Sequence, residues 1–160
     1  MIAQTGNHAY HIDFDAARER GIVIGRASGG YSLGAAELAI GLALATMRQI
    51  ASSDAAMRRG EWPIPTTPVL AGKTMGIVGL GRIGTHVAKL ASAFGMRVLA
   101  WSPRLTDDVA RERGAERREL DALLAESDVV TLHASLTPAS TGLDRKSTRL
   151  NSSHTDISRM

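Results

Sequence analysis

The sequence contains no cysteine. Disulfides and thiolate metal sites are therefore excluded, and no redox compartment can be read from it. Aromatic residues are scarce: two Trp, two Tyr and two Phe in 160 residues leave little surface for stacking nucleic-acid bases. The most apolar run, Leu33 to Met47, is too short to span a bilayer and carries Glu37 inside it. The opening "MIAQTGNHAY" lacks the charged-then-apolar layout of a secretory leader, so a cytoplasmic protein without a membrane partner is expected. No Gly-x-Ser-x-Gly elbow is present to suggest a hydrolase. His8, His11 and Asp13 are closely spaced on a loop with no further ligands, and no metal site is expected from them.

The net charge of +3 is unevenly distributed. Asp144 to Met160 holds four Lys/Arg and two Asp/Glu, leaving 15 basic against 14 acidic residues in the remainder. A nucleic-acid partner is not expected, and "RERGAERREL" is read as a solvated helical face.

A hydrophobic fraction of 44% suffices for a packed core of one domain, or parts of two. Met1 to Gln4 is short and apolar, with a polar turn at Thr5-Gly6-Asn7 after it. Phe14 to Arg20 reads as a helix stopped by Gly21, and Ile22 to Ile24 as a β-branched strand. Leu33 to Arg59 reads as one helix, apolar on nearly every side, so it should be buried between elements or between subunits. "EWPIPTTPVLAG" holds three of the five prolines and reads as a connector. Beyond it, strands are expected at Met75–Val78, Val98–Trp101 and Val129–His133, with a helix at Ile83–Phe94. Shorter helices are expected within Thr106–Arg113 and Arg118–Glu126. Such alternation predicts an α/β fold, a parallel sheet of right-handed βαβ units.

The turn after the first of these strands is Gly79-Leu80-Gly81-Arg82-Ile83-Gly84. A lone Gly-x-Gly-x-x-Gly can merely join a strand to a helix. With the strand before it, the helix after it and a second strand on schedule, it reads as a dinucleotide site. Gly79 would allow the tight turn, Gly81 the approach of a pyrophosphate to the backbone, and Gly84 close helix–strand packing. Free amides and the helix dipole favour an anion there. An acidic residue ending the second strand would select NAD(H). Here Ser102 stands 18 positions after Gly84, with Arg104 two further on. A hydroxyl beside a guanidinium suits a 2′-phosphate and inclines the reading toward NADP(H). The alternative is a solvated Arg104, with NAD(H) bound without the acid.

"TGNHAYHIDFDAARERGIVI", "AAELAIGLALATMRQI", "RRGEW", "LAGKTMGIVGLGRIGTHVAKLASAFGMRVLAWSP" and "DVVTLHASLTPASTGL" follow one another in an order that resembles the D-isomer-specific 2-hydroxyacid dehydrogenases. That family includes phosphoglycerate, glyoxylate and hydroxypyruvate reductases. The resemblance covers about Ile2 to Leu143 and implies a Rossmann-like cofactor domain preceded by the end of a substrate domain. It divides the chain into a substrate-domain remnant (1–24), a crossing and dimerisation helix with its connector (25–71) and part of an NAD(P)-binding domain (72–143). It places Gly79, Gly81, Arg82, Ile83 and Gly84 on the pyrophosphate, Ser102 and Arg104 at the ribose, and His133, Ala134 and Leu136 along the cofactor. Thr5, Gly6 and Asn7 would hold a substrate carboxylate.

The implied reaction passes a hydride between nicotinamide and C2 of a small 2-hydroxy or 2-keto acid, in a homodimer. The family's catalytic Arg, Glu and His lie in motifs that this sequence does not contain, so no catalytic residue is assigned and the chain itself is expected to be inactive. An uncovered sheet edge and an unpartnered apolar helix predict poor stability. Asp144 to Met160 lacks any periodicity, and "DRKSTRLNSSH" reads as translated sequencing-adapter DNA rather than as a native segment. The rival reading is a nucleotide-sensing, corepressor-like module that binds a partner without catalysis.

Overall fold

The computed structural model describes residues 1–4, 12–26, 32–62, 66–135, 140 and 143. They form two compact units, Met1–Ser32 and the chain from Leu33 onward.

In the first unit, β1 (Ile2–Gln4), α1 (Phe14–Glu19) and β2 (Ile24–Arg26) form one βαβ turn, the strands pairing in parallel with Ile2 opposite Ile24. The Asp13 carboxylate caps α1 by accepting the amides of Asp15 and Ala16 at 3.1 and 2.9 Å. The strand expected at Ile22–Ile24 instead begins at Ile24. The reason is local: the Ile22 amide donates back to Ala17 at 2.9 Å to close the end of α1, and cannot start a ladder.

The second unit opens with α2 (Ser32–Met47) and α3 (Ile50–Arg58), where one continuous helix was expected. Their axes bend by 58°. Gln49 adopts a left-handed φ of 50°, which interrupts the i→i−4 ladder, and the Ser52 hydroxyl donates to the Gln49 carbonyl at 3.0 Å. Ala36, Ile40 and Ala43 bury one side of α2 in the core. On its other side Leu38 and Leu42 remain 64% and 58% exposed, so among the described residues α2 is covered on one side. Among the described residues, no single helix is long and apolar enough to cross a membrane.

There follow β3 (Thr74–Val78), α4 (Arg82–Ala93), β4 (Arg97–Trp101), α5 (Asp107–Glu112), β5 (Glu116–Arg117), α6 (Leu120–Glu126) and β6 (Val129–Leu132). The four strands pair in parallel in the order β5-β4-β3-β6. Strand β5 falls inside "RERGAERREL", so that stretch is not a single solvated helical face. Alternation along the strands separates two cores. Met75, Ile77, Val98 and Ala100 pack with Ala36, Ile40, Val87, Ala91 and Ala110, while Val78 and Leu99 pack with Leu123 and Leu124 of α6. Helices therefore cover both faces, and chain order reverses between β3 and β6. Ligands of open α/β sheets bind beyond the strand ends at such a reversal.

Candidate functional site

The glycine turn lies at that reversal. The amide of Gly79 donates to the Trp101 carbonyl at 2.7 Å, and His133 donates to the Val78 carbonyl at 2.8 Å, so β4 and β6 close on either side of it. Gly79 has φ 104°, and a β-carbon there would lie 2.5 Å from the Ala134 nitrogen and 2.6 Å from the His133 carbonyl carbon. A β-carbon at Gly84 would run into the Gly79 carbonyl oxygen. Gly81 is different: nothing lies within 4 Å of where its β-carbon would be. Two of the three glycines are thus required by the packing of the turn itself, and the third borders open space.

Helix α4 starts from Gly81, whose carbonyl accepts the amide of Thr85 at 2.9 Å. The amides of Gly81, Arg82, Ile83 and Gly84 donate to no group among the described residues. This is a row of four oriented donors at the positive end of a 12-residue helix.

Leu80, between the first two glycines, is held from outside the turn on both sides. Its amide donates to the Ser102 hydroxyl at 2.8 Å, and its carbonyl accepts from Nη1 of Arg113 at 2.5 Å. Ser102 begins the turn after β4, where its own carbonyl accepts the Leu105 amide at 3.1 Å. Arg104 in that turn is exposed, as is Arg82. His133 is half-buried, with Nε2 2.8 Å from Oγ1 of Thr131, and burial holds its imidazole below the usual histidine value. The structure therefore gathers Gly79, Gly81, Arg82, Ile83, Gly84, Ser102, Arg104, His133 and Ala134 at one end of the sheet. Thr5, Gly6, Asn7 and Leu136, with the segment 144–160, lie outside the described residues.

The two ends of the sheet differ in charge. At the N-terminal ends of the strands, Arg97 pairs with Glu116 and Glu126 at 2.9 and 3.0 Å, and Arg118 pairs with the same two carboxylates. Lys73 meets Asp128 at 3.0 Å there as well. At the glycine-turn end, Arg82, Arg104 and Arg113 form no ion pair among the described residues. Arg117 at this end is paired with Asp107 and Glu119, whereas Arg82, Arg104 and Arg113 are left uncompensated among the described residues beside the row of free amides, an arrangement suited to an anionic ligand. The groups present fit a dinucleotide diphosphate.

Residues 40–150 match the family model described as "D-isomer specific 2-hydroxyacid dehydrogenase, NAD binding domain". The chain belongs to this family. The D-3-phosphoglycerate dehydrogenase of Methanocaldococcus jannaschii is 40% identical over 141 residues, 86% of this chain and 27% of that protein. The human D-3-phosphoglycerate dehydrogenase is 34% identical over 145 residues. The chain thus spans a little over a quarter of the length of these relatives. Among solved structures, the apo D-lactate dehydrogenase of Escherichia coli superposes with a TM-score of 0.81 at 32% identity, covering 92% of this chain and 47% of that one. The Aquifex aeolicus D-lactate dehydrogenase complexed with NAD and lactic acid gives 0.76 at 26%, covering 94% and 46%. The NAD-binding domain of this dehydrogenase family accounts for the Rossmann-like sheet and its position relative to the glycine turn.

Sequence reasoning did not find Arg113, nor Gly76, where a β-carbon would collide with Ser127 and Leu123 of the α6 side. A signal for Arg113 was present: it directly precedes Gly114, and a helix-stopping glycine fixes the residue before it at the helix end.

Proposed function

We propose that the chain is the coenzyme-binding part of an oxidoreductase acting on a small 2-hydroxy or 2-keto acid. The observation that carries this reading is the row of amides at Gly81–Gly84, unpaired among the described residues and bounded by a turn with no room for a β-carbon at Gly79 or Gly84. Those amides would hold the diphosphate, with His133 and Ala134 lining the site beside Gly79. When bound, the coenzyme supplies or accepts the hydride. The residues of this chain would bind and orient it, with half-buried His133, held below the usual histidine value by burial, beside it.

Ser102 and Arg104 favour NADPH over NADH: a hydroxyl and an unpaired guanidinium both donate to phosphate oxygens, whereas neither repels them. Residues 1–24 belong to the substrate domain, with Thr5, Gly6 and Asn7 holding the substrate carboxylate. Residues 25–71 lead into the coenzyme domain of 72–143. The exposed Leu38 and Leu42 of α2 suit burial against a second copy in a cytoplasmic homodimer. Fluorescence titration of the full chain with NADH and NADPH tests the reading. Saturable binding of at least one reduced coenzyme is expected, and binding of neither would overturn it.

A further inference from the structure

Arg113 belongs to neither the glycine motif nor the Ser102–Arg104 turn, yet its side chain reaches back 33 residues to the middle of the motif. Its backbone position is fixed. It caps the end of α5, with Gly114 donating to Arg111 at 3.0 Å and Ala115 to Ala110 at 2.9 Å, the double bond of a closed helix terminus. From there Nη1 donates to the Leu80 carbonyl at 2.5 Å in a partly buried setting. The amide of the same Leu80 is held by Ser102. Arg113 and Ser102 thus converge on one residue, from α5 and from the end of β4.

A carbonyl acceptor needs only a neutral donor. A guanidinium brings in addition a permanent charge and further N–H groups, and no carboxylate among the described residues answers either. Retaining a partly buried, unpaired cation costs desolvation energy unless an anion meets it. On the nucleotide reading above, on which this inference rests, the diphosphate is served by the amides of Gly81–Gly84. The anion left to be met beside Leu80 and Ser102 is a phosphate on the adenosine ribose.

We propose that Arg113 selects the coenzyme: it pins the glycine turn through Leu80 and presents its remaining donors and charge to the 2′-phosphate of NADPH. NADH, lacking that phosphate, uses the pin but not the charge.

The test is a pair of titrations on the full chain, with NADPH and with NADH, repeated for Arg113→Met and Arg113→Lys. Arg113→Met keeps the apolar stem but removes both the charge and the bond to Leu80, so loss of the pin falls on both coenzymes and loss of the charge on NADPH alone. NADPH should weaken about tenfold to a hundredfold, as for the loss of a charge-assisted bond, while NADH changes less than about threefold. Arg113→Lys restores charge without the fork geometry and should recover part of the NADPH affinity. Equal losses for both coenzymes would make Arg113 only a loop staple, and no loss for NADPH would likewise overturn the proposal while leaving the nucleotide site standing. Wild-type binding of neither coenzyme would overturn the site itself. Should Arg113→Met fail to unfold cooperatively, phenylglyoxal labelling of the wild type decides. Saturating NADPH should shield Arg113 from modification and saturating NADH should not; equal shielding by both, or by neither, refutes the inference.

Discussion

The Leu80 amide donates to the Ser102 hydroxyl oxygen across 2.8 Å, joining the glycine turn to the end of the neighbouring strand. A hydroxyl that accepts in this way still has its own proton to donate. Replacing Ser102 by Asp keeps an acceptor for Leu80 but exchanges that donor for a negative charge. NADPH affinity should fall by about tenfold or more through repulsion of the 2′-phosphate, with NADH unchanged or tighter. Coenzyme fluorescence titration of the two proteins reads both changes. Equal NADPH affinity in wild type and variant would rule out a phosphate near Ser102.

The glycines of the turn should separate fold from ligand binding. At Gly84 an added β-carbon meets the Gly79 carbonyl oxygen and comes 3.1 Å from Cγ2 of Ile77, so strand and helix must move apart. Gly84→Ala should cost about 1–3 kcal/mol in urea unfolding. At Gly81 the same atom enters open space, and its φ of −84° suits any residue. Gly81→Ala should therefore change stability by less than about 1 kcal/mol. Coenzyme affinity should nonetheless drop about tenfold or more, because the added methyl occupies the approach to the free amides. If Gly81→Ala binds coenzyme like the wild type, the diphosphate does not lie against this backbone.

Gly76 carries a prediction about the opposite face of the sheet. It sits within β3, and its missing side chain lets Ser127 and Leu123 press directly on the strand. The Ser127 hydroxyl, buried there, donates to the Leu123 carbonyl at 2.6 Å and closes the end of α6. Gly76→Val has ideal strand propensity but no room, and should destabilise the second unit by about 1–3 kcal/mol. Calorimetry would detect this as a lowered melting temperature. An unchanged transition would mean that α6 does not pack on β3 as described.

What the sequence made legible, and what it did not, follows from the range of the interactions involved. The run from β3 through α4 to β4 was read to within a residue at each boundary, because alternation, glycine stops and a helical apolar face are local signals. The break at Gln49 was missed because no glycine or proline marks it; a contact from Arg48 Nε to Thr67 at 3.0 Å, 19 residues away, accompanies it. Strand β5 has two residues, both charged, and exists only because β4 offers it a free edge. Leu80 carries no signal of its own in the glycine motif. Its importance comes from Ser102 and Arg113, which only the folded chain brings to it.

His133 offers a pH-dependent test of the site's geometry. Burial lowers its affinity for protons in the folded chain, while the unfolded chain titrates near the ordinary 6.5. Above that value both states are neutral, and the folded chain has its full stability. As pH falls through it, the unfolded state takes up a proton that the folded state resists, so stability declines until the folded-state value is reached. Asp128 and Glu116 do not blur this window. Burial pushes the Asp128 carboxyl up, but bonds from the Thr74 amide and Lys73 outweigh it and hold the group below its usual value. Glu116 is held low chiefly by Arg97. Urea unfolding at about pH 7.5 and about pH 5.5 should therefore show a loss that His133→Gln, which keeps a hydrogen-bonding partner for Thr131, reduces. An identical loss in both proteins would mean that His133 is solvated rather than packed beside the glycine turn.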